Sequence, residues 1–358
     1  MNSDGNPLLP HSQSSTSLRL LRALGLSLSA WLALPAHAVL IDSGDGSGNT
    51  TPPADDPGFV HVGERYLFSA VYLGNGWVLT ANHTGVGSVV IDGIDYPEVP
   101  GSKVQFDDGG IHADLMAFRI DPAPALPILP INADPNLTGE SVIKIGNGLD
   151  RGGPVTACSG IDGYSWGGNT TIRWGTNHIA AYQNVLSTES FYTTFDQAGS
   201  SHEAQVTTGD SGGAVFVKNG STWELAGILF ALANHGTCQP VSSSLYGDHS
   251  YAVDLATYRT QIISTVRPEC SDEVDNDGDS LTDFPTDPDC ESLADDSEST
   301  PAVPSLGTAG LTALAAVLLA GAAGPLRHRA ARRPLRARAA GGGGPTTRTT
   351  PDRVRTRP

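Results

Sequence analysis

Three short stretches carry residue types able to break an acyl bond: "GWVLTANHTG" from Gly76, "HADLMAFRI" from His112 and "TTGDSGGAVF" from Thr207. A serine hydroxyl is a weak nucleophile until a base takes its proton, and the base works best when an acid orients it. Ser211 lies inside "GDSGG". Glycines there let the backbone turn sharply and expose the serine oxygen. Consecutive N–H groups of such a turn can also point into one small concavity, which is what an oxyanion needs. His83 comes four residues after Leu79, the end of the apolar Trp77, Val78 and Leu79, in a run that reads as a buried strand. Asp114 heads another apolar run, where a carboxylate is costly unless something pairs with it, and an imidazole N–H is the natural partner. Taken singly, each has a bland reading: a surface histidine, a solvated turn acid, an ordinary glycine turn.

The elements that must position these side chains read as β-strands. The chain has 358 residues, with 42 Gly, 25 Pro and 39% hydrophobic residues, which is too apolar for a disordered chain and suits a turn-rich β protein. From about 58 to 266, short apolar runs alternate with turn residues: "YLFSAVYL", "WVLTA", "SVVIDGI", "LMAFRI", "SVIKIGN", "AVFVKNG" and "ELAGILFAL". "VKNGSTWELAGI" predicts a hairpin turning at Asn219-Gly220. Repeated short strands predict a sandwich or barrel, not βαβ units. "DLATYRTQIISTV" is the one good helix candidate, with Leu255, Ile262 and Ile263 on its inner face.

Charge is unevenly placed. The formal net charge of −17 averages thirteen acids between Glu269 and Glu298, with no Lys or Arg, against ten arginines between Arg327 and Arg357. An acidic balance argues against a nucleic-acid partner for the central domain. Residues 1–38 read as a signal peptide: Arg19 and Arg22 precede the apolar "ALGLSLSAWLAL", and "AHA" (36–38) is a small-x-small cleavage site. The mature chain then starts near Val39 and is exported, where disulfides are permitted. The four cysteines fall into two groups, and of three connectivities we expect Cys158–Cys238 and Cys270–Cys290. Residues 39–57 are polar, rich in Gly and Pro, and read as a flexible segment. The catalytic domain is expected over 58–267, followed by a separate acidic segment over 268–300. The uncharged "VPSLGTAGLTALAAVLLAGAAGP" and its arginine cluster fall in 301–338, long enough to cross a bilayer with a positive-inside flank. A disordered tail closes the chain at 339–358.

Together, "VLTANH", "ADLMAF" and "GDSGGAVF" resemble the chymotrypsin/trypsin-like serine proteases, in the family's order His83, Asp114, Ser211. "ELAGILFA" resembles the strand that follows the serine. The resemblance covers roughly Phe59 to Val266. It implies an all-β fold of two six-stranded antiparallel Greek-key barrels with a C-terminal helix. It implies His83 as general base, Asp114 as its orienting acid, Ser211 as nucleophile, and the N–H groups of Gly209 and Ser211 as the oxyanion hole. By the same carry-over Gln205, Phe230 and Leu232 belong to the substrate pocket; Gln205 is not an acid, so a preference for Lys or Arg is not implied. The substrate would be a protein or peptide, and catalysis would need no cofactor. Several positions depart from the family pattern. Asn82 replaces an alanine and Thr84 a cysteine, so the disulfide beside the histidine is missing. Phe230 replaces a serine that supports the aspartate. No Arg/Lys-Ile-Val-Gly-Gly activation site appears, so Asp210, which in the family pairs with a freed N-terminus, must find another partner.

In the acidic segment, Asp275, Asp277, Asp279 and Asp283 alternate around a glycine, a pattern able to fold a loop about one hard cation. The segment resembles the calcium loops of thrombospondin-type-3 and related bacterial repeats, which implies a structural calcium. The competing reading is a solvated acidic linker stapled by Cys270 and Cys290. The end of the chain resembles bacterial C-terminal sorting tails, which implies sorting machinery or a membrane as partner and a secreted or cell-surface location. Two other functions compete with an active protease. One is an α/β-hydrolase esterase, for which "GDSGG" fits G-x-S-x-G and Asp248 with His249 or His235 would complete the site. The other is a protease-like surface module with weak or no activity.

Overall fold

The computed structural model describes residues 39–299, which lie in one compact unit. The signal peptide (1–38), the sorting segment (301–338) and the tail (339–358) lie outside the described residues. Eight strands form the first half: β1 (Leu40–Ile41), β2 (Val62–Arg65), β3 (Phe68–Gly74), β4 (Trp77–Thr80), β5 (Val89–Ile91), β6 (Ile94–Tyr96), β7 (Val104–Asp108) and β8 (Ile111–Arg119). The second half contains β9 (Ser141–Gly146), β10 (Leu149–Ala157), β11 (Ile161–Thr170), β12 (Arg173–Val185), β13 (Thr188–Thr194), β14 (Ala204–Gln205), β15 (Ala214–Asn219), β16 (Thr222–Ala233), β17 (Ser243–Leu245) and β18 (His249–Asp254). Helix α1 (Leu255–Val266) follows at once.

Two large sheets carry the fold. Strands β12-β13-β18-β16-β15-β9 close into a six-stranded barrel. The first half departs from the expected second six-stranded barrel: it is a seven-stranded sheet of order β6-β5-β2-β3-β4-β8-β7. Its β2–β5 join rests on one pair, Glu64 with Val90, and its edge strand β6 has three residues, too short to reach round to β7. Every strand ladder among the described residues is antiparallel. That excludes the parallel, doubly wound sheet an α/β-hydrolase requires.

Period-two alternation explains the layers. In β3, Val71 and Leu73 face a core shared with the barrel, while Ala70 and Tyr72 face the opposite side of the sheet. The shared core joins Leu79, Phe106 and Leu115 of the sheet to Ile145, Phe216 and Ile228 of the barrel. Helix α1 closes it with Leu255, Tyr258, Ile262, Ile263 and Val266. The helix starts where expected because the Asp254 side chain accepts the Ala256 N–H at 3.3 Å, capping its first turn. The β15–β16 hairpin forms, but its turn is Gly220-Ser221, one residue later than read, because Asn219 still pairs with Thr222.

Residues 39–57 correct the expectation of a flexible segment. Val39, Leu40 and Ile41 are buried, and β1 pairs with β14. The Arg151 guanidinium donates to the carbonyls of Ile41, Asp42 and Gly44, and the Asp42 carboxylate accepts from Tyr164 and Tyr246. Composition hid this because the partners are a distant arginine and two distant tyrosines. The acidic segment is likewise not detached: Arg259 and Arg267 of the helix region both pair with Glu273. Both expected disulfides are present, Cys158–Cys238 and Cys270–Cys290.

Candidate active site

His83 sits in a single 3-10 turn, Asn82–Thr84, immediately after β4. Asp114 lies four residues into β8, the neighbour of β4 in the sheet. That pairing brings the two together. Asp114 Oδ1 accepts the backbone N–H of His83 at 2.8 Å, and Oδ2 lies 2.6 Å from His83 Nδ1. The carboxylate therefore holds both the main chain and the ring of the histidine. Asp114 is itself fixed by its own N–H, which donates to Thr188 Oγ1 at 2.9 Å. Thr188 is fully buried at the start of β13, after a turn whose residues Leu186 and Ser187 both have positive φ. Sequence reasoning missed Thr188, since neither turn residue is the Gly or Asn that usually marks such a turn.

Ser211 reaches the same seam through Ser69 of β3. The Ser69 N–H donates to Ser211 O at 2.9 Å, and its hydroxyl donates to Gly209 O at 3.0 Å. Ser69 Oγ also accepts the Asn147 N–H at 2.8 Å. Thr80 Oγ1 donates to Ser69 O at 2.9 Å and lies 3.2 Å from Thr84 Oγ1. Thr84 Oγ1 in turn donates to Ala81 O, closing the turn that carries His83. A hydroxyl ladder of Ser69, Thr80 and Thr84 thus spans the seam. The glycine after the serine is required: Gly212 has φ +87°, and a Cβ there would lie 1.9 Å from Ser69 O. Replacing Ser69 with Ala removes two buried hydrogen bonds from this ladder and is expected to cost about 2 kcal/mol of stability. Urea denaturation checks this, and a loss under about 0.5 kcal/mol would mean the ladder is unimportant.

Asp210 N–H, Gly212 N–H and Gly213 N–H are all bonded to carbonyls. Among the described residues, the N–H groups of Gly209 and Ser211 donate to no acceptor, so two donors of the turn are left open. Among the described residues, too, no hydrogen bond joins the Ser211 hydroxyl to His83. In unliganded active sites such contacts are commonly long and tighten on binding substrate.

Asp210 has a partner after all. Its carboxylate accepts from Thr207 N–H and Gly148 N–H at 2.8 Å each, and from Val39 N–H at 3.4 Å. Burial pushes its carboxyl up to about 6, against these hydrogen bonds, which act the other way. Val39, which completes this shell, directly follows the "AHA" of residues 36–38.

The pocket residues are more closed. Gln205 is 1% exposed, its Oε1 accepting from Ser250 Oγ at 2.7 Å and its Nε2 donating to His249 O at 3.1 Å. Phe230 is buried in the shared core, and Leu232 is half-buried on β16. Behind Gln205 lies Lys144, fully buried, donating to Thr193 Oγ1 and Ala204 O and, at 3.4 Å, to the same Ser250 hydroxyl. Burial pulls its ammonium down to about 8. A lysine in "SVIKIGN" reads as an outward residue of an alternating strand, so nothing in the sequence announces it.

Of the esterase candidates, His235 and Asp248 lie together, Nε2 3.7 Å from Oδ1. Asp248 also accepts from Gln239 and from the Leu245 N–H, His235 Nε2 also meets Tyr246 O, and His249 stacks on Tyr192; among the described residues no hydrogen bond ties any of the three to the Ser211 side chain. In the acidic segment, Asp275, Asp277 and Asp279 each bring an oxygen within 4.8 Å of the others. Asp283 stands apart from them, accepting the N–H groups of Asp272 and Glu273.

Asp114 thus holds His83 next to β4, and Ser211 stands in a glycine-rich turn tied to β3, both on antiparallel sheets. Residues 68–228 match the family model described as a trypsin-like peptidase domain, a span that includes His83, Asp114 and Ser211. No curated protein matches the chain. Among solved structures, the chain is similar to the HtrA-type protease AlgW with a decapeptide, at 22% identity and TM-score 0.37, covering 57% of this chain and 55% of that one. The chain thus spans about half the length of that protease. It is similar to neuropsin from mouse brain at 18% identity and TM-score 0.43, covering 61% of this chain and 98% of that one. It is also similar to the active form of a protease from M. tuberculosis, at 14% identity and TM-score 0.34, covering 56% and 73%.

Proposed function

We propose that the chain is an exported serine endopeptidase acting through His83, Asp114 and Ser211. The observation that carries this reading is the double hold of Asp114 on His83, through Nδ1 and the backbone N–H. With Nδ1–H bonded to the carboxylate, Nε2 is left unprotonated and free to take a proton. Ser211 Oγ then adds to the scissile carbonyl while its proton passes to Nε2. The carbonyl oxygen, now negative, is received by the open N–H groups of Gly209 and Ser211. The imidazolium returns the proton to the leaving amine, and the acyl-enzyme is released by water deprotonated at the same Nε2.

Asp210 belongs to the same proposal. Cleavage after Ala38 would turn the Val39 N–H into an ammonium beside the buried carboxylate, next to the nucleophile. The two disulfides are consistent with export.

A fluorophosphonate probe tests the function directly. We expect stoichiometric labelling of the purified chain, abolished in Ser211→Ala and reduced by orders of magnitude in His83→Ala. Folded protein that stays unlabelled would instead support an inert surface module.

A further inference from the structure

Arg65 carries a buried charge without a partner of opposite sign. It is 8% exposed and, among the described residues, enters no ion pair. Among those residues its guanidinium gives one hydrogen bond, from Nη1 to Val86 O at 3.1 Å, and its Nε is buried with no acceptor. Burial pushes the guanidinium down while the charge of Glu98 acts the other way, and an arginine keeps its proton throughout. A buried cation in that state is costly unless an anion joins it.

The arginine borders a cavity of about 350 Å3, which opens where β2 and β5 are joined by the single pair Glu64–Val90. Gly87 belongs to the same lining, and a Cβ there would lie 3.1 Å from Arg65 Nη1, so a glycine keeps side-chain atoms off the guanidinium. Glu64 and Asp95 also line the cavity without pairing with the arginine.

This cavity lies on the leaving-group side of the site. Gly87 follows His83 by four residues, a reach of at most about 14 Å. At the other wall, Arg65 ends β2, and Phe68 at the start of β3 meets the His83 ring edge-on, with centroids 6.1 Å apart. His83 is the group that returns a proton to the leaving amine, so the half of the substrate past the cut runs beside His83. At about 3.3 Å per extended residue, that reach takes in roughly the second to fourth residues past the cut.

We propose that Arg65 is a specificity-determining residue that binds an acidic side chain of the substrate, about two to four residues beyond the scissile bond. This rests on the endopeptidase reading above. The planar fork of a guanidinium matches a carboxylate, and the open cavity admits one. Glu64 and Asp95 oppose the incoming acid, which moderates the preference without removing it.

The test profiles the purified chain against a peptide library, reading the residues after each cut by mass spectrometry. Wild type is expected to enrich Asp and Glu about tenfold over Asn and Gln at one of these positions, the scale of one charge-assisted pair. Arg65→Gln should lose the enrichment, and Glu64→Gln combined with Asp95→Asn should raise it. Melting temperatures report whether each variant is folded, and the Glu64/Asp95 variant decides if Arg65→Gln does not fold. A chain that cuts peptides without the enrichment overturns the proposal, as does enrichment unchanged in folded Arg65→Gln or not raised in the Glu64/Asp95 variant. A folded chain that neither takes the fluorophosphonate nor cuts overturns the endopeptidase reading, and with it the role in specificity. Melting with tetraglutamate then decides whether the anion site stands alone: a rise in wild type that is absent in Arg65→Gln keeps it, and no rise removes it.

Discussion

Replacing Asp114 with Asn is expected to lower kcat/KM by about four orders of magnitude while leaving the fold intact. The size follows from which oxygen does what. Oδ1 accepts the His83 backbone N–H and Oδ2 faces Nδ1. An amide has one oxygen, and the backbone N–H keeps it. The NH2 then faces Nδ1, which must act as acceptor, so the ring proton moves to Nε2. A protonated Nε2 cannot accept the serine proton, and the base is lost although no atom has moved. Stability should change by no more than about 1 kcal/mol, since the His83 side of this pair is open to solvent. Steady-state hydrolysis of a peptide library substrate, with thermal melting as control, checks both halves. Activity within tenfold of wild type would remove Asp114 from the site.

The second large effect concerns Val39. A chain beginning at Val39 is expected to be about a hundredfold more active than one that retains Ala38 or a longer extension, because breaking a buried ion pair costs about 3 kcal/mol. Here the pair would hold the turn that presents Ser211 and the open N–H groups. The pH dependence differs between the two forms. With Val39 in peptide linkage, the folded Asp210 carboxyl lies near 6, above its ordinary 3.8. A raised carboxyl favours the folded state when protonated, so the extended chain should lose stability as pH rises from about 4 to about 6. An ammonium beside Asp210 favours the charged form, and the Val39-started chain should not show that loss. Equal activity of the two forms, with Asp210→Asn equally active, would dismiss the ammonium's role.

Much of this was legible in the sequence because it depends on local rules. Alternation gave β3, β4, β8 and β16, the Asp254 cap gave α1, and the glycines of "GDSGG" carried the need for a positive φ at Gly212. What stayed hidden depends on distant partners. Strands β10 and β11, in the Gly-rich stretch 149–170, are mostly half-buried and so carry no clean alternation. Nothing near Lys144 signals that its ammonium is buried. Residues 39–51 look like linker until Arg151, Trp174 and Asp210 are placed around them. In the acidic segment, the buried carboxylates Asp272, Asp287 and Glu298 emerge only once the chain folds back on itself.

The Arg151 grip on the carbonyls of residues 41, 42 and 44 has a kinetic corollary. It acts two residues downstream of Val39, on backbone atoms, and so would not depend on whether cleavage after Ala38 has taken place. An amine freed by that proposed cleavage would therefore be tethered within a few ångströms of its destination, at an effective concentration in the millimolar range or above. Its capture would be unimolecular, independent of protein concentration, and would ask only the last residues to settle. A free dipeptide such as Val-Leu would have to reach millimolar levels to substitute for it in a chain trimmed past residue 40.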